Sequence, residues 1–291
     1  MWLIIGQNGF FANNLIQRLA SENIAHRTIS VPRNSSDVDF VAFEILLRKE
    51  LPEVSVVVMC SWQGIPVFSA RNNAVNLKLH QVLITQASKV KDKISVYCFG
   101  SCAEYDGLSG AVNEESVGSK LSPLGQVKNK IFKNLEMMVS ENLRCYWIVP
   151  FFVAGPFQRN GSLFNHICRS VGNQPKCSVS KSIHCDFVHI QDVFDVVLAV
   201  NKSSFSLNNV TRINVGSGRL VDYAELADLV PRWAQQVGAK EFHLEGLDRV
   251  PNQSSFYSSN KIRNFLIQKS PRSLEQMLTD CYSSMIRAPK V

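Results

Sequence analysis

The chain has 291 residues, which is enough for one large domain or two modest ones. Apolar residues make up 45% and charged residues 19%, a globular balance that excludes a disordered tail or a coiled coil. Lysine and arginine number 31 against 24 acidic residues, and the cations are scattered along the chain. The formal charge of +7 therefore favours anionic small molecules as ligands over nucleic acid or a lipid surface.

We expect neither a targeting segment nor a membrane-spanning segment. The longest apolar runs, 54–60 and 147–155, are far shorter than the roughly 20 residues that span a bilayer. The segment after Met1 has no basic leader and enters a glycine turn, so we expect no export. The eight cysteines include no CxxC pair, which indicates reduced, mostly buried thiols. We expect a cytoplasmic protein with no membrane association.

Strand-like apolar runs alternate with segments of helical periodicity along the first half of the chain. Leu15, Ile16 and Leu19 follow the first run at helical spacing, and a second helix is predicted at 74–87. The predicted strands lie at 2–5, 25–31, 54–60, 94–99 and 145–149. Because these runs are continuously apolar, they predict a doubly wound α/β domain with a parallel sheet covered by helices on both faces.

The composition changes in the second half. Residues 156–181 are rich in Gly, Asn and Ser with one short helical stretch at 163–171, which predicts an insertion on the substrate side. Strands are predicted at 186–190 and 211–215 and a helix at 223–237. We therefore predict a sheet domain of 1–155 with about 186–215, and a smaller lobe of about 156–185 with 216–291. Ligands of such sheets bind where the strand order reverses, so the site is expected between the two.

A glycine turn follows the first strand and opens the first helix. Gly6, Gly9 and Ala12 have the spacing Gly-x-x-Gly-x-x-Ala. The first glycine permits a tight turn, the second lets the backbone approach a pyrophosphate, and the third small residue allows close helix-to-strand packing. The helix N-terminus offers N–H groups and a positive dipole end to phosphates. This context predicts a dinucleotide site; the alternative is a turn without a ligand.

The end of the second predicted strand bears on which dinucleotide is bound. An acidic residue there would hydrogen-bond the 2′-hydroxyl of NAD, but residues 30–33 contain none. Arg33 is placed to meet a 2′-phosphate, so NADP is favoured over NAD as the cofactor. The alternative for Arg33 is an ordinary solvated loop arginine.

Further segments stand in an order that resembles a known family. They are Asn76, Gly-Ser-Cys-Ala-Glu-Tyr at 100–105, Pro-Leu-Gly-Gln-Val-Lys at 123–128, 150–156, 186–193, 214–218 and 259–275. With the glycine turn they resemble the extended short-chain dehydrogenase/reductase family of NAD-dependent sugar-nucleotide epimerases, dehydratases and 4-keto reductases. The resemblance runs nearly end to end and implies a Rossmann-type doubly wound parallel sheet with a smaller C-terminal substrate-binding lobe. It also implies a homodimer through a four-helix interface. We expect Asn76 to hydrogen-bond backbone within the core, which is a structural role.

In that family a Ser or Thr and a Tyr-x-x-x-Lys helix carry the chemistry. Ser101 and Lys128 match the serine and the lysine, whereas Leu124 occupies the tyrosine position. The lysine lowers the pKa of the tyrosine and holds the nicotinamide ribose, and the serine orients the reacting oxygen. A leucine side chain cannot exchange a proton, so the usual acid/base group is missing.

Three explanations of Leu124 stay open. Another group could take over the proton transfer, and the candidates are Tyr105, Cys102, Glu104, His189 or a water held by Ser101 and Lys128. The chain could have kept its ligands and lost turnover, or Leu124 could differ from the natural residue.

The resemblance assigns catalysis to Ser101 and Lys128, and we add Tyr105 as the candidate substitute. Substrate binding is assigned to Ser101, Cys102 and Arg249, and cofactor binding to Gly6, Asn8, Gly9, Phe10, Phe11, Arg33, Lys128 and Phe151.

The residues after Ser101 bear on the reaction type. The family's dehydratases have a pair of acids there, and this chain has Cys102 and Ala103. The resemblance therefore favours 4-keto-sugar reduction or C4 epimerisation of a nucleotide-activated sugar, in surface polysaccharide biosynthesis. The alternatives are a catalytically silent binding protein or an NmrA-like redox sensor.

His184, Cys185 and His189 lack a fourth ligand at recognisable spacing, so no metal site is predicted. The basic cluster at 89–93 lacks interleaved aromatic residues, so nucleic-acid binding is not predicted.

Overall fold

The structure is a computed structural model, and it describes residues 1–34, 37–65, 67–138, 140–203, 205, 210–248 and 255–287. The helices are α1 (Phe10–Ser21), α2 (Phe40–Glu50), α3 (Ala70–Ala87), α4 (Pro123–Met138), α5 (Leu163–Asn173), α6 (Ile190–Ser203), α7 (Tyr223–Gln236), α8 (Lys261–Leu266) and α9 (Leu274–Arg287). Short 3₁₀ helices lie at Leu51–Glu53 and Cys102–Tyr105.

The strands follow the same chain order. They are β1 (Trp2–Ile5), β2 (His26–Ile29), β3 (Arg33–Asn34), β4 (Asp37–Val38), β5 (Val56–Met59), β6 (Ile94–Phe99), β7 (Ser109–Val112), β8 (Leu143–Pro150), β9 (Phe152–Ala154), β10 (Lys176–Ser180), β11 (His184–Cys185), β12 (Phe187–His189), β13 (Val210–Val215), β14 (Val221–Asp222), β15 (His243–Leu247) and β16 (Ser255–Ser258).

A six-stranded sheet in the order β13-β8-β6-β5-β1-β2 forms the centre of the fold. The pairs β1–β2, β1–β5, β5–β6 and β6–β8 are parallel. Every residue of β1 and β5 is buried, which is why both strands read as continuous apolar runs. The predicted Rossmann-type doubly wound parallel sheet is confirmed. The strand order reverses between β1 and β5, so the segments that leave these two strands lie next to each other.

Helix boundaries depend on capping side chains more than on apolar spacing. Helix α3 begins one turn before the predicted residue 74, because the Ser69 hydroxyl accepts a hydrogen bond from the backbone N–H of Asn72. Helix α2 was not predicted, and it begins after Asp39, whose carboxylate accepts from the N–H of Ala42 at 2.9 Å. These caps satisfy backbone donors that the first turn of a helix leaves open.

The chain forms two compact units. The first consists of Met1–Asp106, Val117–Pro150 and Phe194–Ile213, and the second of Gly107–Ser116, Phe151–Val193 and Asn214–Val291. The domain boundaries predicted from the sequence stay a prediction. In the second unit, β10 pairs in parallel with β15, a strand pair that lies partly within the segment predicted as an insertion. Only Cys177 and Val179 of β10 are buried, so its apolar signal is weak.

Asp186 organises loops within the second unit. Its side chain has no exposed surface and accepts hydrogen bonds from the Ser217 backbone N–H at 2.6 Å and the Ser258 N–H at 2.9 Å. Burial raises the pKa of this carboxyl, and the hydrogen bonds act in the opposite direction. Asp186 is therefore used to fix backbone geometry.

Candidate functional site

The glycine turn has the backbone that its sequence predicts. Gly6 follows β1 and has a φ of +98°, a backbone conformation that residues other than glycine rarely adopt. A Cβ atom at Gly6 would lie 2.7 Å from the backbone nitrogen of Ser61, which follows β5. Gly6 therefore allows both the turn and the close approach of these two chain segments.

Gly9 has a different environment from Gly6. It caps helix α1 in an extended conformation, with φ of −85° and ψ of 163°, that any residue can adopt. A Cβ atom there would meet nothing nearer than the Gly6 carbonyl oxygen at 3.8 Å. Asn8 and Gly9 are exposed, and Gly9 offers no side chain to cap the helix. No side chain caps the first N–H groups of α1, which leaves them without a side-chain competitor for an anion.

The other cofactor candidates near this turn are partly engaged with protein. The ring of Phe11 packs 4.6 Å from Phe99 and 6.2 Å from Phe194, and Phe10 is half-buried beside it. Arg33 is exposed, and its guanidinium donates a hydrogen bond to the Gln63 side-chain oxygen.

Asn76 fixes the segment that follows β5. Its side chain accepts from the Gln63 N–H at 2.8 Å and donates to the Gln63 carbonyl at 3.0 Å, and it has no exposed surface. The structural role expected of Asn76 is confirmed. The clamp also fixes the backbone next to Trp62, a residue that sequence reasoning missed.

Ser101 caps the 3₁₀ helix Cys102–Tyr105. Its hydroxyl accepts from the Ala103 N–H at 3.2 Å, and Glu104 accepts from the Ser101 N–H at 2.9 Å. This reciprocal pair is a capping box. The hydroxyl keeps its own proton, which it can donate to a substrate oxygen, and a second lone pair. Its contact with a substrate stays a prediction.

Glu104 is buried in a polar network within the first unit. Both carboxylate oxygens lie 3.1 Å from the Trp147 indole nitrogen, and one lies 3.2 Å from the Arg212 guanidinium. Burial raises the pKa of Glu104, while the Arg212 charge lowers it. Arg212 also stacks over the Phe132 ring at 3.9 Å. Sequence reasoning named Glu104 but missed Trp147 on β8 and Arg212 on β13.

Leu124 and Lys128 lie one turn apart on the same face of α4. Leu124 is half-buried, whereas Lys128 is 7% exposed. The ammonium donates to the Phe99 carbonyl at 2.5 Å and lies 3.5 Å from the centre of the Trp62 ring. Burial lowers the pKa of Lys128 to about 7, and Glu104 acts in the opposite direction. The matched lysine is therefore present, but its charged end is covered.

His80 completes the surroundings of Lys128. Its Nδ1 donates to the Asn76 carbonyl at 2.7 Å, and its ring lies 6.0 Å from Trp62 and 6.5 Å from Trp147. Burial and the Lys128 charge lower the pKa of His80 to about 4. A neutral imidazole beside the lysine avoids a second buried positive charge.

The groups considered as substitutes for the missing tyrosine are buried. Tyr105 has no exposed surface and Cys102 is 8% exposed. His189 belongs to the second unit, where its Nε2 lies 3.2 Å from Asp280. Phe151 is also in the second unit and 3% exposed, and Arg249 lies outside the described residues. The assignment of Tyr105 to catalysis stays a prediction, which requires its phenol to become accessible.

The described part of the chain shows neither a metal centre nor a membrane-spanning helix. No cluster of three His, Cys, Asp or Glu side chains there has an arrangement that could hold a metal ion. Among the same residues, no helix has the length and apolar character that crossing a bilayer requires. All eight cysteines lie in the described part of the chain, none of them forms a disulfide bond, and seven of them are buried.

The fold and the glycine turn define a doubly wound nucleotide-binding class of protein. Residues 2–216 match the NAD dependent epimerase/dehydratase family, and the chain belongs to this family. The match confirms the resemblance found in the sequence and the expectation of an NAD-dependent enzyme family. No curated protein matches the sequence.

Solved structures share the fold at low sequence identity. A putative epimerase from Burkholderia cenocepacia has a TM-score of 0.82 and 17% identity, with 99% of this chain and 98% of that chain covered. RMD from Pseudomonas aeruginosa, complexed with NADPH, has a TM-score of 0.78, 20% identity and coverages of 97% and 98%. UDP-glucuronic acid 4-epimerase from Bacillus cereus, in complex with UDP-glucuronic acid and NAD, has a TM-score of 0.77, 19% identity and 99% of both chains covered.

Proposed function

We propose that the chain binds NAD or NADP at the glycine turn and a nucleotide-activated sugar beside Ser101. Its parent chemistry would be 4-keto-sugar reduction or C4 epimerisation. The observation that carries this proposal is the open backbone of Gly9 at the N-terminus of α1, directly beside the point where the strand order reverses. The NADPH of the Pseudomonas protein and the UDP-glucuronic acid and NAD of the Bacillus enzyme support this class of ligands.

The residues fit one end of a dinucleotide. A pyrophosphate can approach Gly9 and accept from the N–H groups of α1, and Arg33 supports a 2′-phosphate and hence NADP. The other end does not fit the side chains as they stand, because Trp62 covers the Lys128 ammonium that would hold the nicotinamide ribose. A bound nicotinamide would supply hydride chemistry.

A catalytically silent binding protein is the second candidate. Leu124 supplies no proton, and Tyr105 has no exposed surface from which to replace it. Loss of a positioned acid lowers the rate of the reaction by about 10² to 10⁴-fold. Such a loss would leave ligand binding unaffected. Cytoplasmic location, the homodimer, surface polysaccharide synthesis and the substrate contacts of Cys102 and Arg249 remain proposals.

The test compares the wild-type chain with Gly9→Ala in dinucleotide binding by calorimetry. A methyl group at Gly9 fits the backbone but occupies the space that a pyrophosphate needs, so we expect a loss of at least tenfold in affinity. The urea midpoint of the variant should fall only slightly below that of the wild type. Failure of the wild-type protein to bind either NAD or NADP would refute the proposal.

A second experiment separates the candidates. The protein is offered UDP-, GDP-, CDP- and dTDP-sugars together with its dinucleotide, and binding and turnover are both measured. Turnover supports the enzyme, whereas stoichiometric binding of sugar nucleotide without turnover supports the silent protein. Dinucleotide binding without any affinity for nucleotides or their sugars supports the redox sensor.

A further inference from the structure

Trp62 is the side chain that covers Lys128. The Lys128 ammonium lies 3.5 Å from the centre of the indole ring, within the range of a cation–π contact. Its hydrogen bond to the Phe99 carbonyl occupies one of three N–H donors, and the indole covers it from another side. The lysine is 7% exposed as a result. A ribose hydroxyl cannot reach this ammonium while the indole stays in place.

The backbone that carries Trp62 is fixed from both sides of the residue. Gly6 packs against Ser61, and Asn76 holds both backbone groups of Gln63. The centre of the His80 ring lies 6.0 Å from the centre of the indole, in an edge-on arrangement. Since the backbone is fixed, the indole can leave Lys128 only by rotation of its own side chain.

The covering position has a cost that favours release. The indole N–H of Trp62 is buried and has no hydrogen-bond partner among the described residues. A buried donor without a partner is unfavourable, and rotation toward solvent would hydrate it. The contact with Lys128 and the unsatisfied N–H therefore act in opposite directions, so a ligand can displace the indole.

We propose that Trp62 sets the affinity for the dinucleotide by competing with the nicotinamide ribose for the Lys128 ammonium. This inference rests on the proposed function and deepens it, because it names the residue of this chain that opposes cofactor binding. It explains how the phosphate end of the site stays open while the lysine end is closed. Trp62 therefore acts on the affinity for the dinucleotide and takes no part in proton transfer.

The test measures the dissociation constants of NADH and NADPH for wild type, Trp62→Ala and Trp62→Phe. Removal of the indole should strengthen binding about tenfold, the size expected for loss of a competing cation–π contact. Phenylalanine keeps a smaller ring and should give an intermediate affinity. Trp2→Phe removes a tryptophan from strand β1 in the same unit, away from Lys128, and should bind like the wild type.

A double variant distinguishes competition from simple enlargement of the cleft. In a Lys128→Met background the indole has no ammonium to cover, so adding Trp62→Ala should change the affinity less than twofold. A tenfold gain that persists in this background would overturn the inference. Trp62→Leu serves if the alanine variant fails to fold, as judged by near-ultraviolet circular dichroism.

Fluorescence gives a second readout. The emission lost in Trp62→Phe belongs to Trp62, and its quenching by acrylamide should increase when the dinucleotide binds and displaces the indole. If the wild type binds the dinucleotide and Trp62→Ala binds it no more tightly, the inference fails and the proposed function stands. If neither the wild type nor Trp62→Ala binds it, both fail.

Discussion

The two ends of the candidate site treat their polar groups in opposite ways. At the glycine turn, Gly9 is exposed and the N–H groups of α1 have no capping side chain. At the other end, Ser101 caps a 3₁₀ helix, Glu104 binds Trp147 and Arg212, and the Lys128 ammonium lies against a carbonyl and an indole.

This difference separates binding from chemistry. Unsatisfied donors at the phosphate end are available to a ligand, because no side chain competes for them. The polar groups at the Lys128 end already have protein partners, so a ligand must displace those contacts. A chain can thus keep the scaffold for a dinucleotide while the residues around the reacting atoms change. Substitutions at the two ends should therefore differ in their effects on stability and on binding.

Removal of the Glu104 carboxylate should have the largest effect on stability. Glu104→Ala leaves the Arg212 charge and the Trp147 and Ser101 N–H groups without their acceptor, which should cost about 3–5 kcal/mol in the free energy of unfolding. Urea denaturation measures it. At the open end, Arg33→Ala removes an exposed side chain and should cost less than about 0.5 kcal/mol. Equal losses in the two variants would contradict the contrast.

The buried imidazole of His80 should make stability depend on pH. Its pKa is about 4 in the fold and near 6.5 in the unfolded chain, so the unfolded state binds more protons between these values. The free energy of unfolding should therefore fall as the pH falls from 6.5 toward 4, by about 3 kcal/mol. Urea midpoints across this range, compared with those of His80→Gln, isolate the effect. Parallel curves for the two proteins would show that His80 titrates normally.

Placing a tyrosine at position 124 tests whether the chain lacks only a proton-transfer group there. Leu124→Tyr places a phenol one turn before Lys128 on the same face of α4, so turnover of the sugar nucleotide should rise about 10²-fold. Leu124→Phe adds the ring without the hydroxyl and should leave turnover unchanged. An unchanged or lower rate for the tyrosine variant would mean that another group performs the proton transfer.

The two glycines of the turn should respond differently to a methyl group. Gly6 has a positive φ, and a Cβ atom there would lie 2.7 Å from the Ser61 backbone nitrogen. Gly6→Ala should therefore lower the free energy of unfolding by about 2 kcal/mol. Gly9→Ala meets no such contact and should cost only about 1 kcal/mol, because alanine is a poorer N-cap than glycine, while it weakens dinucleotide binding. Thermal unfolding of both variants measures the difference. Similar melting temperatures would show that Gly6 is not required by the fold.

Much of the first unit follows from local patterns. The continuous apolar runs predict β1, β5, β6 and β8 because each strand is buried on both faces. Helix α2 was missed because its beginning depends on the Asp39 cap. Strand β10 was missed because only two of its residues are buried and apolar. Strand β16 pairs with β7 across a long stretch of chain, and nothing in either sequence indicates the other as its partner.

The sequence by itself determined the glycine turn after β1, and it predicts the serine and lysine of the family pattern and a leucine at the tyrosine position. These are properties of neighbouring residues, so spacing alone reveals them. Only the tertiary structure placed Trp62 over Lys128 and joined Glu104 to Arg212. Such contacts depend on which strands are adjacent and on how each side chain rotates, and periodicity carries no information about either.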